Sequence, residues 1–129
     1  MGRAEQKPRD PSIALVIEDE PQVRSLAATI LEETDLRVVE TETAEEALAF
    51  LRNAAPDVAM IFADVKLPGG IDGIDIARIA AASWPWIKVV LTSGAMDRSL
   101  KELPSTTTFM PKPWRALDVL IQAERVTHH

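Results

Sequence analysis

Apolar residues are distributed along this chain in two alternating patterns. Five short runs, Ile13–Ile17, Leu36–Glu40, Val58–Ala63, Ile87–Leu91 and Thr107–Met110, are continuous or nearly so and are bounded by charges or turn residues. Runs of this kind predict strands buried on both faces, as in a parallel sheet. Between them the apolar positions recur at helical spacing. Pro21 occupies a first helical position, where its missing N–H costs nothing, and Val23, Leu26, Ala27, Ile30 and Leu31 follow at i, i+3, i+4, i+7 and i+8. A second helix opens at Thr43-Ala-Glu-Glu46, which has the form of a capping box, and Ala47, Leu48 and Leu51 supply its stripe. The third begins near Asp72-Gly73, buries Ile76, Ile79 and Ala80, and stops at Trp84 because Pro85 disfavours a helical residue before it. Between Gly94 and Pro104 only Met96 and Leu100 keep the spacing, which predicts a short, marginal fourth helix. The fifth runs from Trp114 to about Glu124.

Five strand–helix units predict an α/β fold: a parallel sheet with right-handed crossovers and helices on both faces. A length of 129 residues suits one such domain, expected over residues 13–126, with the proline-punctuated residues 1–12 as a loosely ordered lead-in. The net charge of −6 argues against a surface for nucleic-acid phosphates or anionic lipid. The chain has 0 cysteines, so it has no disulfides, thiol nucleophiles or cysteine metal sites, consistent with a reducing cytoplasm. The longest unbroken apolar run, Val58–Ala63, is far too short to span a membrane. Trp84 and Trp86, on either side of Pro85, read as packing at a helix-to-strand turn, whereas the place of Trp114 is left open.

Chemistry enters where the apolar runs end. Glu18-Asp19-Glu20 follows the first run, Asp64 the third, Ser93 the fourth and Lys112 the fifth. In an open α/β sheet the carboxyl ends of the strands border one crevice, so these residues are expected to meet. Each has an ordinary reading taken singly, as a helix cap, a turn serine or a solvated charge, but that reading does not account for all of them together. Converging carboxylates repel one another unless a cation neutralises them. Mg²⁺ suits such a site, since it takes oxygen ligands and usually only one or two carboxylates. Lys112, held between Pro111 and Pro113, has a stiff backbone that aims its ammonium as a point charge for phosphate oxygens.

At these residues the chain resembles the receiver domain of two-component response regulators, over about Ile13 to Arg125. The likeness lies in Leu15-Val-Ile-Glu-Asp-Glu-Pro21, Ile61-Phe-Ala-Asp-Val-Lys-Leu-Pro68, Asp72-Gly73, Val90-Leu-Thr-Ser-Gly94 and Phe109-Met-Pro-Lys-Pro113, in that order and spacing. The resemblance implies a flavodoxin-like (βα)5 doubly wound fold with strand order 2-1-3-4-5. It implies that Asp64 is the phosphoacceptor, taking a phosphoryl group from phosphohistidine or a small acyl phosphate. Asp19, Glu18, Asp64 and the Lys66 backbone carbonyl would serve Mg²⁺, and Lys112 would neutralise the transferring group. Ser93 would bond the new phosphate, and Phe109 would be the aromatic switch residue. The implied partners are a histidine kinase or phosphotransfer protein and a downstream protein target, with neither nucleic acid nor membrane. The chain departs from the family pattern in having Glu rather than the commoner Asp at 18 and an extra residue in the Pro68–Gly73 loop. Thr92 and Ser93 are adjacent hydroxyls, and Ser93 is chosen because Gly94 matches the small residue that follows the switch hydroxyl. A Mg²⁺-dependent phosphatase working through an aspartyl phosphate is the alternative, but its nucleophile motif would place Glu at 18 and 20. A flavodoxin-like cofactor binder would need a glycine- and hydroxyl-rich loop where Glu18-Asp-Glu-Pro21 stands.

Overall fold

In the computed structural model, which describes residues 10–94 and 102–127, the five apolar runs become β1 (Ile13–Ile17), β2 (Arg37–Thr41), β3 (Val58–Asp64), β4 (Lys88–Ser93) and β5 (Thr107–Pro111). All neighbours pair in parallel, in the order β2-β1-β3-β4-β5. Every residue of β1 and β3 is buried, while β2 and β5 at the edges are partly exposed, which is why the two central runs are the most uniformly apolar. This is the flavodoxin-like doubly wound order that the resemblance implied.

The described helices are α1 (Pro21–Leu31), α2 (Ala44–Ala54), α3 (Gly73–Ser83) and α4 (Ala116–Thr127), with a 3-10 turn at Ala55–Asp57. Alternation along each strand divides the core in two. Leu15, Ile61, Ala63 and Leu91 face Ala47 and Leu51 of α2 and Ile76 and Ala80 of α3. Val16, Phe62 and Val90 face Ala27 and Leu31 of α1 and Val119 and Ala123 of α4. The marginal helix expected between Gly94 and Pro104 falls largely on 95–101, outside the described residues.

Local chemistry moves several boundaries from their expected positions. The Leu36 amide bonds the Thr34 hydroxyl at 3.1 Å, so the β2 ladder starts one residue later, at Arg37. β3 and β4 run on to Asp64 and Ser93 because each keeps a strand partner there: Asp64 pairs with Thr92, and Ser93 with Pro111. The last helix starts at Ala116 rather than Trp114, with the Asp118 carboxylate accepting the Arg115 amide at 2.9 Å ahead of it. At α2 the Thr43 hydroxyl accepts from the Glu46 amide at 3.1 Å, but the Glu46 carboxylate reaches back to the Glu42 amide, at 2.8 Å, and not to that of Thr43. A complete capping box forms instead at α3, where Asp72 and Asp75 each accept the other's amide, at 2.9 and 3.1 Å. Trp84 ends α3 and the Trp86 indole N–H donates to the Ala55 carbonyl at 3.2 Å, so both tryptophans pack as expected.

Candidate functional site

Because β1, β3, β4 and β5 are parallel and adjacent, their last residues open onto one rim. Asp64 ends β3 with only 8 % of its surface exposed. Its Oδ1 accepts the Lys66 amide at 2.9 Å, and its Oδ2 meets the Lys112 ammonium at 2.5 Å. Lys112 reaches it from just beyond β5, where its own amide donates to the Ser93 carbonyl at 2.9 Å. The lysine is therefore fixed at the backbone by β4 and at its tip by the β3 carboxylate. Burial pulls its pKa down, but the hydrogen bond and charge of Asp64, backed by Glu18 and Glu20, outweigh this and hold it above the usual lysine value.

The three consecutive acids after β1 are placed very differently. Glu18 is 4 % exposed, whereas Asp19 and Glu20 are open to solvent. The Glu18 carboxylate accepts the Glu20 amide at 3.1 Å. Burial nonetheless pushes its pKa up to about 7, with the charges of Asp64 and Asp19 adding to the rise and the Glu20 hydrogen bond and Lys112 opposing it. Glu18 is thus the strained acid of the site: a buried carboxyl facing a second carboxylate whose lysine is already engaged. Among the described residues no three acids or histidines are grouped closely enough to hold a metal ion by themselves. The donor set still fits Mg²⁺, which needs only one or two carboxylates, and a divalent ion is the charge that would relieve Glu18.

Of the remaining expected residues, Thr92, Ser93 and Lys66 border the same rim, whereas Phe109 lies two residues short of it in β5. Ser93 and Thr92 are both buried at the end of β4, with Thr92 level with Asp64 in the strand register and its carbonyl accepting the Val65 amide at 2.9 Å. Lys66 is exposed and contributes its backbone to Asp64. Phe109 is half-buried in β5, level with Leu91, and opens on a groove shared with Pro111, Asp118 and Ile121. Trp114 packs edge-on against Phe62, with ring centroids 5.5 Å apart, and lines an open groove with Glu20, Val23, Leu26, Lys112 and Pro113. The tryptophan left unplaced by the sequence therefore stands beside the site.

Two features were not legible as site features. Gly73 packs its Cα against the acceptor strand so closely that a Cβ there would lie 2.3 Å from the Asp64 carbonyl oxygen and 2.9 Å from the Val65 Cα. Its amide donates to the Val65 carbonyl at 2.9 Å. Arg24, which the sequence did not single out, donates from Nη1 to the Glu18 carbonyl at 2.9 Å. The arginine lies in the first turn of α1, six residues past Glu18, and only the fold showed which backbone it would reach.

The family model for the response regulator receiver domain matches residues 14–121. The nitrogen assimilation regulatory protein NtrX of Azorhizobium caulinodans is 29 % identical over 115 residues, covering 86 % of this chain and 25 % of that protein. The KDP operon transcriptional regulatory protein KdpE of Escherichia coli is 34 % identical over 87 residues, 67 % of this chain and 37 % of that protein. The crystal structure of the receiver domain of NtrX from Brucella abortus superposes with a TM-score of 0.74 at 26 % identity, covering 88 % of this chain and 96 % of that one. The chain thus spans well under half the length of these two curated relatives.

Proposed function

This chain belongs to the response regulator receiver domain family, and from that membership and the geometry at the strand ends we propose that Asp64 is its phosphoacceptor. The observation that carries the assignment is the Asp64 carboxylate, buried at the end of the central strand, with Lys112 on one oxygen and the Lys66 amide on the other. An Asp64 carboxylate oxygen attacks the phosphorus of a phosphohistidine or small acyl phosphate; the P–O bond to Asp64 forms, the bond to the donor nitrogen or oxygen breaks, and the donor leaves with that electron pair. Phosphoryl transfer asks for little covalent chemistry from the protein and depends on positioning and charge neutralisation. Lys112 supplies a positive charge that passes from Asp64 to the incoming phosphoryl oxygens, and the Ser93 hydroxyl bonds them afterwards. Phe109 is then the aromatic residue that responds.

Glu18, Asp19, Asp64 and the Lys66 carbonyl are the groups that would hold Mg²⁺, which when bound neutralises charge on a transferring phosphoryl group. The proposed donor is a histidine kinase or phosphotransfer protein, and the downstream target that the phosphorylated chain binds is a protein rather than nucleic acid, in keeping with the charge of −6. Catalysis is confined to the chain's own phosphorylation and dephosphorylation. Among the described residues no helix is long and apolar enough to cross a membrane, and we place the activity in the cytoplasm.

The test is incorporation of phosphate from acetyl phosphate or a histidine kinase, read by mass spectrometry and by phosphate-affinity gel shift. Asp64→Asn abolishes it. Labelling that survives this substitution would move the acceptor to Glu18, Asp19 or Glu20 and favour the phosphatase alternative.

A further inference from the structure

We propose that Arg24 is a positioning residue that sets the Glu18 acid through its main chain, an inference that rests on the site reading above. The turn from β1 into α1 is weakly held by its own residues: Glu20 is the N-cap, yet its side chain makes no capping hydrogen bond. The Glu18 amide is tied to the Thr41 carbonyl at 3.1 Å, and the Thr41 hydroxyl to the Val16 carbonyl at 2.8 Å, so the end of β1 is stitched to the end of β2. Beyond that stitch Arg24 takes over. Its Nη1 donates to the Glu18 carbonyl at 2.9 Å, its Nε lies 3.6 Å from Glu40 Oε1, and its Nη2 lies 4.0 Å from Glu42 Oε2.

The guanidinium side chain is 16 % exposed, while those of Glu40 and Glu42 are 45 % and 66 % exposed. The arginine is therefore the enclosed hub and the two acids are outer tethers, too solvated to contribute much as ion pairs but suitably placed to aim a rigid fork. Through it, α1 and the β2 edge are both fastened to the carbonyl of the residue whose buried carboxyl feels the charge of Asp64. An Asp at position 18 would be shorter by a methylene; the longer Glu must fold back onto the Glu20 amide, and that fold requires the residue's backbone to be fixed. A lysine at 24 would keep the charge but could not bond the carbonyl and both tethers at once.

The experiment uses the full chain with Arg24→Ala, Arg24→Lys and the pair Glu40→Gln/Glu42→Gln. Mg²⁺ affinity is measured by calorimetry, the Glu20 amide by hydrogen exchange without metal, and labelling by acetyl phosphate across Mg²⁺ concentrations. Arg24→Ala is expected to weaken Mg²⁺ binding about tenfold, as losses of outer supporting groups do, and to speed Glu20 exchange. Labelling at saturating Mg²⁺ recovers to within about twofold, since the residue acts on placement and not on the reacting atoms. Arg24→Lys behaves like the alanine variant, and the tether pair shows the same effects at roughly a third of the size. Unchanged Glu20 exchange and Mg²⁺ affinity in Arg24→Ala, or rescue by lysine, would overturn the proposal. Should Arg24→Ala not fold, the tether pair decides by the same two readouts. If the unsubstituted chain neither binds Mg²⁺ nor is labelled, the site reading fails, and Glu20 exchange alone then upholds or refutes the Arg24 role.

Discussion

Replacing Glu18 by Gln should stabilise the metal-free protein by an amount that grows as pH rises from 4.5 and is complete above about 7. The Glu18 carboxyl moves from an ordinary 4.5 to about 7 on folding, because burial and the facing Asp64 disfavour its ionised form. A raised carboxyl binds a proton in the folded state that the unfolded chain has already released. Stability therefore falls as pH climbs from 4.5 to 7, and the full loss is present above 7. At 1.36 kcal/mol per pH unit the loss amounts to about 3 kcal/mol. Gln keeps the size and can still accept the Glu20 amide, but it never ionises. Urea unfolding followed by tryptophan fluorescence, with a chelator present, should give equal stabilities for the two proteins near pH 4 and a gap of about 3 kcal/mol near pH 8, or roughly 10 °C in Tm. Shifts elsewhere cancel in the comparison, since Lys112 titrates above this window and Asp118 below it. Saturating Mg²⁺ should narrow the gap by favouring the ionised carboxylate. A gap that is constant between pH 4 and 8, or a Gln variant that is less stable at pH 8, would refute the account of Glu18 as a buried acid under charge stress.

Two further substitutions test the surrounding geometry. Lys112→Met removes the cation held against Asp64 and should slow labelling by acetyl phosphate about a hundredfold while leaving the protein folded, as judged by circular dichroism; a loss smaller than about threefold would mean that the ammonium is dispensable. Gly73→Ala drives a Cβ into two backbone groups that cannot rotate away, so it should cost roughly 2 kcal/mol in unfolding and reduce labelling by displacing Asp64, whereas Gly70→Ala, which has open space around it, should do neither.

The sequence alone determined the elements and their order, because buried central strands must be apolar throughout and helices must repeat every three to four residues. Ile13–Ile17 and Val58–Ala63 could hardly be read otherwise, and both are wholly buried in the sheet. It also located the chemistry: parallel strands deliver their carboxyl ends to one rim, so acids, a hydroxyl and a lysine at those ends were bound to be neighbours. The tertiary structure alone decided what each neighbour became. Nothing in Glu18-Asp19-Glu20 says which acid is buried, because burial depends on the angle at which the chain leaves β1, and that angle is set by Thr41 and Arg24 from other elements. The closeness of Gly73 to Asp64 and the seat of Trp114 on Phe62 are likewise distances between segments remote in sequence. Periodicity records which face of an element is dry; it carries no record of which distant atom that face will touch, and pKa, hydrogen bonding and steric fit all depend on that atom.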